Sequence, residues 1–209
     1  MDSRDLTRLA AADIAALHDS CHAIPGWARS SAPRFAEGAW QAVEDNHRCN
    51  CLLWEEEDLA RRRNVPDSEI AGNKRAIDRY NQQRNDAIER IDEQLLNFFF
   101  KIKTQSDARL HSETPGAMID RLSILSLKIH HMRLQTLRTD VDRAHVEACQ
   151  AKLARLNEQR ADLGACLDRL LAEAARGESY FKVYRQFKMY NDPALNPAIY
   201  GESKRSTRS

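Results

Sequence analysis

Acid, amide and base recur at helical spacing along this chain, and each set suits a recognisable chemistry. Lys74, Asp78, Asn81, Asn85 and Asp92 fall within about 60° of one another at 100° per residue, beside an apolar side of Ile70, Ile77, Ile88, Ile91 and Leu95. Arg84 sits inside that apolar side. Around Asn50, the residues His47, Trp54, Glu57, Asp58 and Arg61 span about 100°. A third segment carries Asp120 opposite its hydrophobic seam, with Arg121 next in sequence. Asparagine is a poor helix former, so Asn73, Asn81 and Asn85 point to a use other than helix stability. The cations Arg61, Lys74, Arg84 and Arg121 suit phosphate or carboxylate groups. His47 and the amides of Asn50, Asn81 and Asn85 suit ligand hydroxyls, and Trp54 offers a stacking face. Glu57, Asp78 and Asp120 are the acid–base candidates. Two readings stand for these rows. One is a polar pocket between helices, where bundles place ligands. The other is a network that joins helices with every charge satisfied.

Metal chemistry has one candidate pair. Carboxylates at i, i+3 share a helix face and can jointly hold Mg²⁺ against phosphate oxygens. Glu55-x-x-Asp58 and Glu89-x-x-Asp92 resemble the paired acidic helices of the all-α nucleoside triphosphate pyrophosphohydrolases. That resemblance implies Mg²⁺ as cofactor, with Asp58 and Asp92 as ligands. His47-x-Cys49-x-Cys51, with Cys21-His22 upstream, has the residue types of a zinc site. Residues two apart on a helix diverge by about 200°, so Cys49 and Cys51 cannot share a metal, and zinc is not expected. His130, His131 and His145 read as surface or interhelical residues, and Ser123 and Ser126 have no base that the sequence positions beside them.

The elements that must hold these rows are helices. Seven Gly and six Pro in 209 residues are too few for a many-turned β chain. The spacing predicts about five long helices, from about Leu6 to Cys21, Phe35 to Arg63, Asp67 to Lys103, Thr114 to Thr139 and Asp142 to Arg176. Met118, Leu122, Leu125, Ile129 and Met132 form one seam, and Val146, Cys149, Leu153, Leu156, Leu163, Leu167 and Leu170 another. A short polar turn between them predicts an antiparallel αα-hairpin whose seams pack within the chain or join a homo-oligomer. Tyr180 to Tyr190 interleaves aromatics with Lys and Arg as a C-terminal aromatic segment. The expected architecture is all-α, a single helical bundle over residues 1–200 with a disordered tail from Gly201 to Ser209. With 32 Lys+Arg against 31 Asp+Glu, the net charge of +1 excludes a strongly basic nucleic-acid binder and a polybasic membrane surface. No apolar run approaches a membrane span, Met1 to Ala12 has no apolar leader, and five scattered cysteines suit a reducing compartment. The expected location is the cytoplasm.

Three blocks carry a resemblance across the chain. They are Asn46 to Arg62, Asn73 to Asp86, and Ser112 to Ile129 with its Ser-Glu-Thr-Pro-Gly-Ala-Met-Ile-Asp-Arg opening. Together they resemble the bacterial family catalogued as domain of unknown function 4254. The resemblance implies a role in surface-polysaccharide or lipopolysaccharide biosynthesis, in the company of glycosyltransferases. Combined with the polar rows, it leads to an accessory protein or enzyme that binds an anionic, sugar-nucleotide-like ligand. The alternatives are the Mg²⁺-dependent pyrophosphohydrolase and a non-catalytic scaffold for a glycosyltransferase.

Overall fold

The computed structural model describes residues 9–185 and 194–197. The expected tail and the rest of the C-terminal aromatic segment lie outside them. The described chain is all-α, with six helices and one pair of very short strands. Helix α1 spans Ala11–His22, the single turn α2 Trp27–Ser30, α3 Gly38–Ala60 and α4 Asp67–Phe99. Strand β1 is Arg109–Leu110, α5 is Pro115–Thr136, α6 is Arg143–Ala175 and β2 is Ser179–Tyr180.

Local chemistry explains the boundaries. Asp67 and Glu69 place negative charge in the first turn of α4, where the helix dipole favours it. Thr114 caps α5, its hydroxyl accepting the N–H of Ala117, and Pro115 takes the first helical position, which needs no N–H. Asp142 caps α6 by accepting the N–H of His145. Gly177, at φ +73°, ends that helix. A side chain at Gly177 would also strike the carbonyl of Lys103, so the residue serves both the turn and the close approach of the loop after α4. That approach aligns β1 parallel to β2, Arg109 against Ser179 and Leu110 against Tyr180. The pair is absent from the periodicity because each strand has only two residues.

Helices α3 and α4 run antiparallel, as the Asp45–Arg90 ion pair near one end and the Glu56–Asn73 hydrogen bond near the other require. Helices α5 and α6 pack along each other across the turn at residues 137–142, and α1 lies against α3, α5 and α6. The core joins Ile14 of α1, Val43 of α3, Ile91 and Leu95 of α4, Met118, Ile119 and Leu122 of α5, and Leu167 and Leu170 of α6. Arg160 interrupts the apolar seam of α6 for a structural reason. Its Nη1 donates to both carboxylate oxygens of Asp19 at 2.8 Å, and Ser126 donates to Asp19 at 2.7 Å, so one polar clamp ties α6, α1 and α5. Among the described residues, no helix is long and apolar enough to cross a membrane.

Candidate functional site

Asn46 and Asn50 stand one turn apart on α3, and Asp120 and Ser123 nearly one turn apart on α5, so each pair shares a helix face. The two faces meet. Asp120 Oδ1 accepts from Asn46 Nδ2 at 2.8 Å and from Asn50 Nδ2 at 2.9 Å. Asn50 Nδ2 also donates to Ser123 Oγ at 3.0 Å, and His47 Nδ1 lies 2.8 Å from the same oxygen. Arg84 of α4 brings its guanidinium to 3.9 Å from Asp120, and its buried Nε has no hydrogen-bond partner among the described residues. This seam answers the sequence reading of Ser123, since the base sought beside it is His47. Both side chains are wholly buried, and the Ser123 oxygen is held by an amide and an imidazole, which suits a positioning role more than attack on a substrate.

Behind this seam five imidazoles gather. His18 stacks on His47 with centroids 4.3 Å apart, His22 meets His47 edge-on at 5.0 Å, and His22 stacks on His130 at 4.7 Å. His131 stacks on Trp54 at 4.5 Å, with 6° between the planes. Burial disfavours the charged rings: it drives His18 down to about 3 and, aided by the neighbouring His130, His22 down to about 4. His47 is held well below its ordinary value, first by burial and then by His18 and His22. His18, His22 and His47 are therefore neutral imidazoles. Neither ring nitrogen of His18, nor Nε2 of His22, has a hydrogen-bond partner among the described residues.

Cys51 closes the cluster, its sulfur 3.7 Å from His47 Nε2. Cys49 is buried on another side of α3, where Asp45, Arg84 and Arg90 act on it. The expectation against a shared metal therefore holds for the Cys49–Cys51 pair, but the neighbours that matter are His47 and Cys51, four residues apart on one face.

Two clefts open from this region toward solvent. A cleft of about 380 Å³ is lined by Asn50, Trp54, Glu57, Asp58, Arg61 and Arg84. A second, of about 540 Å³, shares Trp54 and Asp58 and adds His131, Lys128, Lys152 and Arg155. The stacked Trp54–His131 pair is thus a flat aromatic wall with three cations of α5 and α6 on one side and Arg61 and Arg84 on the other.

The structure brings together most of the α3 row and, from α4, Arg84 of the apolar side, but no member of the α4 polar row. Asn50, Trp54, Glu57, Asp58, Arg61 and Arg84 border one cleft, and His47 and Asp120 reach it through Asn50 and Arg84. Asn85 is buried and Asn81 half-buried, while Lys74 and Asp78 are exposed. Arg121 is exposed and bound to Glu113 at 2.8 Å, bordering a separate cleft. Asp92 is buried and accepts the N–H of Gly116 at 2.6 Å, at the start of α5. Because α3 and α4 are antiparallel, Asp58 and Asp92 stand at opposite ends of that pair, roughly 25 Å apart by helical rise. The two acidic helices do not converge on one ion. As site residues the sequence singles out neither Asn46 nor His18, and it sets His22 aside with the zinc motif, although Asn46–Asn50 and His18–His22 are both legible as i, i+4 pairs.

The family model described as protein of unknown function (DUF4254) matches residues 40–183, well over half the chain. No curated protein and no solved structure matches.

Proposed function

The chain belongs to the DUF4254 family, and from that premise we propose that it serves surface-polysaccharide or lipopolysaccharide assembly in the cytoplasm by binding an anionic, sugar-nucleotide-like ligand. The ligand occupies the paired clefts at Trp54. One observation carries this reading. Arg84 turns a half-buried guanidinium into the cleft with its buried Nε lacking a hydrogen-bond partner among the described residues, while its nearest carboxylate, Asp120, already accepts two amide donors. A buried donor of this kind is costly unless a group with oxygen acceptors arrives, and phosphate oxygens fit a guanidinium fork. Lys128, Lys152 and Arg155 against Asp58 make the larger cleft net cationic. The Trp54–His131 face suits the flat base of a nucleotide. The surface-glycan assignment rests on the family resemblance, and the anionic ligand on the cleft.

Thermal-shift and calorimetric titration of the full chain with uridine and guanosine diphosphate sugars, nucleoside triphosphates and inorganic phosphate, each with and without Mg²⁺, tests the reading. Stabilisation by a sugar nucleotide is expected, and Arg84→Gln should weaken that binding by about tenfold, the loss of one charge-assisted hydrogen bond. No shift with any of these ligands, together with co-purification of a glycosyltransferase, would replace the pocket by a scaffold.

A further inference from the structure

His22, His47 and Cys51 bring one ligand atom each to within 4.8 Å of one another, a cluster contributed by two helices. We propose that these three residues bind a zinc ion, with a fourth coordination position open to the adjoining cavity. The reading does not depend on the anionic ligand at Trp54.

The geometry is close to that of a formed site. Zinc bonds of about 2.0–2.1 Å to nitrogen and 2.3 Å to sulfur place tetrahedral ligand atoms roughly 3.3–3.6 Å apart. The separation of Cys51 Sγ from His47 Nε2, 3.7 Å, already matches such an edge. The third member needs an approach of about 1 Å, within the reach of a side-chain adjustment by the half-buried His22. Its Nε2 is buried with no hydrogen-bond partner among the described residues.

The surroundings are those of a prepared ligand set. His47 uses Nδ1 toward Ser123 Oγ at 2.8 Å, which leaves Nε2 to the metal and fixes the ring's orientation, as outer-shell partners do for metal-bound histidine. Asn50 holds Ser123 in turn. Each metal-facing imidazole is also stacked on another, His47 on His18 and His22 on His130. Two imidazoles and a thiolate are a ligand set that borderline-soft zinc accepts; burial keeps the free Cys51 thiol protonated, so zinc binding releases that proton to solvent. His22 and Cys51 themselves line a cavity of about 290 Å³ together with Trp54, His130 and His131. Two of the three ligands lie on the cavity wall, which leaves room for water or an anionic oxygen in the fourth position, the arrangement of a zinc site that acts on a ligand.

The full-length protein, purified without chelator or affinity metal, should carry close to one equivalent of zinc by elemental analysis. After stripping and reloading with Co²⁺, it should show the near-ultraviolet thiolate-to-cobalt charge-transfer band and the visible bands of a four-coordinate ion. Cys51→Ser should abolish the charge-transfer band, and His22→Gln should weaken Co²⁺ binding at least tenfold by direct titration. Cys49→Ser, on another side of the same helix, should retain the band at full intensity. Circular dichroism of each variant identifies any that fail to fold, and the wild-type measurements decide the question if they do. Absence of zinc and of the cobalt spectrum in the wild type, a charge-transfer band that survives Cys51→Ser in folded protein, or copper in place of zinc would overturn the proposal.

Discussion

His47 Nδ1 and Ser123 Oγ lie 2.8 Å apart, and neither side chain touches solvent. The contact joins a histidine of α3 to a serine of α5 on a face shared with Asn50 and Asp120. Removing the hydroxyl deprives a buried imidazole of its partner and Asn50 of one acceptor. Ser123→Ala should therefore destabilise the fold by about 1–3 kcal/mol in urea titration, with little change in the slope. An unaltered midpoint would mean that the seam contributes nothing to stability.

Asp120 is the acceptor for both asparagines, so its loss is felt twice. Asp120→Ala takes an acceptor from two buried amides, of which Asn50 keeps Ser123, and leaves Arg84 without its neighbouring charge, an expected cost of about 3 kcal/mol. Asp120→Asn keeps one carbonyl oxygen and should cost clearly less. Equal losses for the two variants, measured by chemical denaturation, would show that packing and not acceptance dominates at this position.

Asp92 predicts a pH dependence of opposite sign to that of an ion-paired carboxylate. Burial raises it to about 6, and the Glu89 charge adds to that, against the hydrogen bonds from Thr114 and Gly116. Between its ordinary value near 4 and about 6, the folded state holds a proton that the unfolded state has released. The contribution of Asp92 to stability is thus complete below about pH 4 and falls as pH rises to 6, by roughly 2–3 kcal/mol in total. Denaturation curves at pH 4, 5, 6 and 7 should show that decline in the wild type relative to Asp92→Asn. Parallel pH profiles for the two proteins would contradict the assignment.

Gly116 makes the α4–α5 approach feasible. A β-carbon there would lie 2.6 Å from the Ile88 carbonyl oxygen and 2.8 Å from Asp92 Oδ1, the first of them backbone that cannot yield cheaply. Gly116→Ala should destabilise by about 1–3 kcal/mol despite the better helix propensity of alanine. Thermal melting settles this, and a stabilised variant would show that the helices separate there at no cost. Gly72, whose β-carbon would meet nothing within 4 Å, is the control at which alanine should be neutral or stabilising.

Much of the architecture was legible from the order of residues alone. Helix starts at Asp67, Thr114-Pro115 and Asp142 depend on local hydrogen bonds and dipoles, and the apolar seams of α5 and α6 depend on a 3.6-residue period; both are properties of one segment at a time. The same period put Asn50, Trp54, Glu57, Asp58 and Arg61 on one face of α3, and they line one cleft. What the period could not supply was the partner across the gap. That Asp120 would answer Asn46 and Asn50, and that Asp58 and Asp92 would stand at opposite ends of an antiparallel pair, are matters of register between helices. His22 meeting His47 and Cys51 is decided further off still, by how the core seats α1 against α3 and α5. A helix fixes the angle at which each side chain leaves its axis; only the burial of apolar surface from many distant segments at once fixes which angles face each other.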